Sequence, residues 1–348
     1  MHINDDRQAA RDHHANGQSV NVSVIIPTLN AGDSFGILLK LLKQQTVQPY
    51  ELIIIDSCSD DATAMLAEAA GAKVLTVQRA EFDHGGTRNI AAAAASGNIL
   101  LFMTQDVIPV NSRMIEQLTQ PLLGESACDG VVYAYARQIA EDNGHILEQF
   151  ARRNNYPVDS SVQCYDDIER QGIKTFFCSN ACSAIRRDVF QQMGGFQSPV
   201  IFNEDMFMAA RCVLSGMKIA YCADAQVYHT HNYTVKQQLK RFFDNGVSMR
   251  CNAWILPYAS TTKAGSKLIR EQLKGLRDAR KLQYIPRLIA ESAAKLIGYK
   301  LGMNYHRLPN KFCRRLSMHR LIWDQIEQGN LHVTYPITVG EHAKTKSS

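Results

Sequence analysis

Four carboxylates and two histidines have the type and setting to do chemistry in this chain: Asp56, Asp106, Glu204, Asp205, His229 and His231. Asp56 closes the apolar run Ile53-Ile54-Ile55. A carboxylate there can accept hydrogen bonds from a base ring N–H or a ribose hydroxyl. Its plainer use is as a helix N-cap, but Ser59 and Asp60 are better placed for that. Asp106 ends Thr104-Gln105-Asp106, just after the apolar run Ile99–Met103. A carboxylate at a strand end suits Mg2+ or Mn2+, hard ions that prefer oxygen, although one ligand does not make a site. Glu204-Asp205 opens a helical pattern. Acids at a helix start are often only partners of the macrodipole. Their chemical use is as a general base for an attacking hydroxyl. In Val227-Tyr228-His229-Thr230-His231 the alternate spacing puts both histidines on one face of a strand, and either could supply a further metal ligand.

A second group lies in Phe82-Asp83-His84-Gly85-Gly86-Thr87-Arg88-Asn89. Two glycines let a backbone approach a ligand closely, and Arg88 offers a fork of donors suited to phosphate. A glycine turn with a surface Arg, and a hydrogen-bonding structural His84, is the simpler account of the same residues.

The elements that must position these side chains read as alternating strand and helix. Residues 22–30 are a β-branched apolar run ending in Pro-Thr-Leu-Asn. A strand apolar on both faces is expected at the centre of a parallel sheet. Further strands fall at 51–55, 73–77 and 99–103. Helices fall at 33–45, from Asp60-Asp61 to Ala70 with Gly71 as C-cap, around Ala91–Ala95, and from Pro109 and Asn111 onward. Alternation over 125 residues predicts a doubly wound α/β sheet. In such sheets ligands bind at the carboxyl ends of the strands, where Thr28, Asp56 and Asp106 stand. Beyond this the pattern is less regular. Tyr133–Ala136 reads as a strand, Arg152 to Asp167 as a long loop, 205–215 as a helix ended by Gly216, and 218–228 as a short strand. After about 235 the chain reads as basic helices.

Length and composition agree with a folded globular protein of 348 residues, 45% hydrophobic and 20% charged. The first twenty residues are polar, without an apolar export segment, and are expected to be a disordered tail. Nine scattered Cys without zinc-type spacing fit reduced cytosolic thiols. No run is long and apolar enough for a confident transmembrane helix. The absence of GxGxxG, GxxxxGK[ST], GxSxG and HExxH argues against dehydrogenases, P-loop NTPases, α/β-hydrolases and zincins. The net charge of +5 hides fifteen Lys or Arg against three acids between Lys263 and Arg320. There Leu268, Ile269, Leu273, Leu276, Ile285, Leu288, Ile289, Leu296 and Ile297 interleave with the cations. This makes amphipathic helices suited either to an anionic bilayer surface or to packing on the core with a solvated basic face. No nucleic-acid recognition module is visible, so no nucleic-acid partner is expected.

In order and type, Pro27-Thr28-Leu29-Asn30, Asp56, Arg88-Asn89, Asp106 and Glu204-Asp205 resemble family 2 inverting glycosyltransferases with the GT-A fold, over about residues 22–250. That fold has a Rossmann-like, mostly parallel sheet flanked by helices. Phe82–Asn89, Thr104-Gln105-Asp106 and His229-Thr230-His231-Asn232-Tyr233 leading to Arg241-Phe242-Phe243 resemble its bacterial rhamnosyltransferase branch, which uses dTDP-L-rhamnose to build O-antigen and related polysaccharides. The resemblance implies a catalytic domain at 21–250, with a nucleotide-binding half (21–125) and an acceptor half (126–250), then a basic amphipathic helical region at 251–348. It implies Asp205 as the base with Glu204 beside it. Pro27, Thr28, Asn30, Asp56, His84, Gly85, Gly86, Arg88, Asn89 and Gln105 become the nucleotide and donor contacts. A Mg2+ or Mn2+ ion on the diphosphate would be held by Asp106 and His229, with His231 as second choice. The usual Asp-x-Asp is here Thr104-Gln105-Asp106, so its first acid is missing. The expected partners are a dTDP-L-rhamnose donor, a lipid-linked glycan acceptor and an anionic membrane surface met by residues 260–325. The expected location is cytoplasmic and peripheral on the inner face of the membrane. The alternatives are a UDP-sugar donor on the same fold, or a non-catalytic scaffold in polysaccharide assembly.

Overall fold

A computed structural model describes residues 20–124, 129–141, 144–259 and 263–327. Most of the N-terminal tail, read above as disordered, lies outside the described residues. Nine strands form one sheet: β1 (Val22–Thr28), β2 (Glu51–Asp56), β3 (Lys73–Thr76), β4 (Ile99–Met103), β5 (Ile108–Pro109), β6 (Val131–Ile139), β7 (Ser161–Gln163), β8 (Cys182–Arg186) and β9 (Lys218–Tyr228). The order is β3-β2-β1-β4-β8-β6-β9-β5, with β7 also on β9. Strands β3, β2, β1 and β4 are mutually parallel, as are β6 and β9, while β8 runs antiparallel between β4 and β6. Among the described residues the α-helices of six residues or more are α1 (Ser34–Leu42), α2 (Thr63–Ala69), α3 (His84–Ala93), α4 (Met114–Thr119), α5 (Ile146–Asn155), α6 (Arg187–Gln192), α7 (Glu204–Leu214), α8 (Val235–Cys251), α9 (Lys263–Asp278), α10 (Ile285–Met303) and α11 (Asn310–Leu316).

Period-two alternation in central strands sends side chains to two separate cores. Ile25, Ile53 and Ile55 enter one cluster, and Val24, Ile26 and Ile54 the other. The run of residues apolar on both faces is therefore what a sheet covered on both sides requires. Strand order also makes the binding crevice. The β1–β2 ladder continues to Thr28↔Asp56, but the β1–β4 ladder stops at Ile25↔Phe102. The chain turns both ways from β1, so the crevice opens at the topological switch point between β1 and β4. Pro27 sits where β1 has left β4, and it has no N–H to leave unpaired there.

Three local expectations are corrected. Residues Arg152–Asn155 belong to α5 and 161–163 to β7, so the stretch read as loop carries structure. Its polarity reflects an edge strand with two exposed residues and a helix burying only Leu147. Pro109 does not begin a helix; it pairs with Val227 in an edge strand, and α4 begins at Met114. Strand β9 is eleven residues long rather than short.

The C-terminal helices pack on the sheet domain. Gly298 lies against Leu239, and one turn on, Gly302 lies against Phe243 and Val247, so α8 and α10 run in the same direction. An added Cβ at either glycine would collide with the backbone of α8. Ile201 shares a small core with Phe243, Val247, Tyr305, Cys313, Ile322 and Trp323, which ties the C-terminal segment to the link between α6 and α7. The apolar residues of 263–303 divide their duties. Leu276 and Leu288 are buried with Leu147, while Ile289, Leu296 and Ile297 remain exposed. No helix among the described residues is long and apolar enough to cross a membrane.

Candidate active site

The carboxyl ends of β1 and β2 meet in register, which sets Thr28 beside Asp56. Thr28 Oγ1 donates to Asp56 Oδ1 at 2.8 Å, and Ser59 donates to the same carboxylate through its backbone N–H (2.7 Å) and its hydroxyl (2.6 Å). Asp56 is thus a buried acceptor held in one orientation, and Ser59 is capped by it rather than competing with it. Asn30 takes φ 48°, a left-handed conformation that Asn tolerates. Its side chain accepts from Asp60 N at 2.8 Å, so the β1 and β2 ends are laced together.

Gln105, in the place of the missing acid, has a mechanical role. Its Oε1 accepts from Leu29 N at 2.7 Å and its Nε2 donates to Leu29 O at 3.1 Å. An uncharged amide can supply both halves of that clamp, whereas an ionised carboxylate could only accept. Gln105 therefore closes the gap between β1 and β4 and aims the next residue, Asp106, outward.

Asp106 Oδ2 lies 3.5 Å from His229 Nε2 and 3.8 Å from His231 Nε2. One ligand atom from each residue falls within 4.8 Å of the others. Both histidines are brought in, not one. His229 is buried, and its Nδ1 contacts Gln138 Oε1 at 2.7 Å. That contact puts the ring proton on Nδ1 and leaves Nε2 as an acceptor facing Asp106. Nε2 is buried with no hydrogen-bond partner. A buried acceptor without a donor is costly unless something electrophilic meets it. A carboxylate with two imidazoles is a donor set that can hold a divalent metal ion. Burial alone would raise the Asp106 carboxyl, but the side chains of His229, Thr104 and His231 around it hold it well below the usual carboxylate range.

Helix α7 begins with Asn203 at φ 68°, again a left-handed Asn, and this bend projects Glu204 and Asp205 into the crevice. Asp205 is half-buried. Its Oδ2 accepts from Asn180 N at 3.0 Å and its Oδ1 from Met206 N at 2.8 Å. Burial, then the adjacent negative charge of Glu204, push its carboxyl up to about 7. Glu204 is buried and faces Arg88 Nη1 at 3.4 Å. Asn180 is the hub: its Nδ2 donates to Glu204 at 3.1 Å, and its Oδ1 accepts from Tyr133 and Ser183, each at 2.7 Å.

The Phe82–Asn89 segment proves to be a helix start. Asp83 caps α3 by accepting from Gly85 N and Gly86 N. A Cβ on Gly85 would strike the backbone of Gln197, and one on Gly86 would strike Asp83 and Ser198. The space that the glycines leave is taken by the chain itself. Asn89 is committed as well, donating to Phe196 O (2.7 Å) and accepting from Phe196 N (2.8 Å). Arg88 is buried, donates to His84 O at 2.8 Å, and reaches the start of α7 through Glu204. Sequence reasoning missed Gln138 and Asn180, both buried polar residues on or beside sheet strands, because nothing in their neighbours sets them apart.

A sheet of this order, with a metal-type donor set at the ends of its strands, has the architecture of a GT-A glycosyltransferase. Residues 23–194 match glycosyl transferase family 2 and residues 140–258 match glycosyl transferase family group 2. The chain is 38% identical to the O-antigen chain rhamnosyltransferase RfbN of Salmonella typhimurium over 315 residues, covering 88% of this chain and 98% of that one. It is 38% identical to the O-antigen chain rhamnosyltransferase WbaN of Salmonella anatum over 308 residues, covering 88% and 96%. The fold is similar to that of residues 1–349 of S. aureus TarS in complex with UDP-GlcNAc, with TM-score 0.52 at 17% identity over 89% of this chain and 88% of that one. The chain belongs to glycosyltransferase family 2, in its rhamnosyltransferase branch.

Proposed function

We propose that the chain transfers L-rhamnose from dTDP-L-rhamnose to a hydroxyl of a lipid-linked glycan during O-antigen synthesis. The transferred sugar and the pathway are supported by the two 38% identical relatives, both O-antigen chain rhamnosyltransferases; the dTDP carrier rests on the sequence resemblance alone. The observation that carries the mechanism is the geometry of Asp205 at the start of α7, beside Glu204 and held by the backbone N–H groups of Asn180 and Met206, where burial and the neighbouring acid push its carboxyl up to about 7. A base with a pKa near neutrality combines a useful ionised fraction with a useful affinity for the proton. Each Asp205 oxygen already accepts one backbone N–H, and its remaining lone pairs are free for an acceptor hydroxyl. As that hydroxyl attacks the anomeric carbon, its proton passes to Asp205. The bond from that carbon to the diphosphate oxygen breaks, and its electrons leave with dTDP. A single displacement from the opposite face inverts the centre, so a β-linked donor gives an α-L-rhamnoside. Asp106, His229 and His231 would hold a divalent ion whose contribution is to neutralise charge on the diphosphate.

In this reading the enzyme sits on the inner face of the cell membrane. The exposed Ile289, Leu296 and Ile297 of α10, in a segment that also exposes the cations Lys281, Lys300, Arg307 and Lys311, form the contact with anionic lipid. The test is nucleotide release from dTDP-L-rhamnose beside a UDP-sugar panel, with and without Mn2+ or Mg2+, given a lipid-linked acceptor. Metal-dependent release of dTDP alone is the expected result. Release from a UDP-sugar instead discards the donor, and silence with every donor favours a scaffold.

A further inference from the structure

A polar cleft walled by α5, α8, α9 and α10 adjoins the crevice. Gln238 on α8 and Gln272 on α9 line it at 9% and 5% exposure, and neither side-chain amide has a hydrogen-bond partner among the described residues. A buried amide left unpaired is costly unless water or a ligand meets it. His145, the N-cap of α5, adds a third open group. Its Nδ1 accepts from Leu147 N at 3.3 Å, which puts the ring proton on Nε2, and Nε2 is buried without a partner. Burial, then the nearby Arg287, lowers the pKa of this ring, so it stands as a neutral donor.

The charges of the wall balance, with Glu148 and Glu291 against Arg287 and Lys295. Glu291 accepts from Arg287 Nε and Glu148 from Arg152 Nε, each at 2.8 Å through Oε1. A phosphate requires donors alone and would meet two carboxylates here. Amides, imidazole and carboxylates together offer both donors and acceptors, as sugar hydroxyls require. The free volume is about 20 Å3, room for one water or one hydroxyl group, so a sugar ring stays at the mouth and sends in one arm. The cleft joins the reacting centre at two points. Tyr233, in its wall, stacks on His231 of the metal-type cluster, with centroids 4.9 Å apart at 27°. One helical turn on from Glu148, Arg152 donates to Gln138, and Gln138 Nε2 donates to Ser179 Oγ at 2.8 Å, next to the Asn180 that holds Asp205.

We propose that this cleft is a subsite for the acceptor glycan, in which Gln238, Gln272 and His145 read a hydroxyl of an acceptor sugar. The helices that follow the sheet domain then help to select the acceptor. This inference rests on the glycosyl-transfer reading above. A site built to pair a hydroxyl rejects a sugar that lacks it, because its own buried polar groups are then left unpaired.

The test compares full-length wild type with Gln238→Met and Gln272→Met, which keep the length of the side chain and remove its polar end. The probes are the lipid-linked glycan from cells lacking this enzyme and the lipid-free, phosphate-free glycan released from it by mild acid, with dTDP-L-rhamnose as donor. Acceptor KM, kcat and dTDP affinity are measured, and thermal melts identify any variant that has lost its fold. The expected outcome is that each Met variant raises KM about tenfold for both glycans, with kcat and dTDP affinity nearly unchanged. Gln272→Asn, which keeps the amide but draws it back by one methylene, is expected to raise KM as well and decides the matter if the Met variants do not fold. Unchanged KM in folded variants overturns the inference, because the cleft then holds a buried water only. A rise confined to the lipid-linked glycan overturns it, because the cleft then meets the carrier's phosphate. A wild type that does not use the lipid-free glycan overturns it too, because recognition then lies in the carrier. A wild type that releases nucleotide from no sugar donor overturns the glycosyl-transfer reading itself; turnover by the wild type with no discrimination by the variants overturns this inference alone.

Discussion

Asp106 and Asp205 are the same residue type at the same crevice, yet their surroundings drive them to opposite ends of the carboxylate range. Asp106 is 44% exposed at its side chain, and His229 with His231 holds it ionised. Asp205 faces burial and the charge of Glu204, and its carboxyl rises to about 7. Two groups pushed apart in this way are suited to different roles, in the proposed reading an anion for a cation at Asp106 and a proton acceptor at Asp205. Arg88 refines the division. Its guanidinium lies 3.4 Å from Glu204 and sets a positive charge beside the two adjacent acids.

The sharpest way to break the comparison is to remove each carboxylate's function separately. Asp205→Asn is expected to lower kcat about a thousandfold while leaving Mn2+ and dTDP affinity unchanged, as read by steady-state kinetics and calorimetry. His229→Ala is expected to lower kcat about a hundredfold and to remove Mn2+ binding, with folding intact by circular dichroism. If both variants lose metal and turnover alike, the two sites are one. Gln138→Leu, which removes the partner of His229 Nδ1, is expected to weaken Mn2+ affinity about tenfold in the same calorimetric assay. The mildest probe is pH. The base works deprotonated, so kcat/KM falls with unit slope as pH drops below about 7. Glu204→Gln takes away the like charge and is expected to move that limb to lower pH. An unmoved limb would assign the titration to another group.

Much of this site was legible before any fold was known, because the signals were local. Asp56, Asp106 and Glu204-Asp205 each sit at the end of an apolar run or the start of a helical pattern. Side-chain periodicity alone puts such residues at strand ends and helix starts. The glycines of Phe82–Asn89 were misleading for the same reason. Their need for room was plain, but whether a ligand or Gln197 filled that room depended on a segment over a hundred residues away.

By itself, then, the chain determined its alternating elements, the parallel half of its sheet, and the polar residues that close its strands, since hydrophobic period and turn chemistry act over a few positions. Only the tertiary structure decided that both His229 and His231 meet Asp106, that Gln105 clamps Leu29, that Asn180 orients both acids, and that His319 returns from the C-terminal segment to face His84. The values near which Asp205 and Asp106 titrate belong to the same class. Desolvation and neighbouring charge depend on what is packed within a few ångströms, and that is set by contacts between residues distant along the chain.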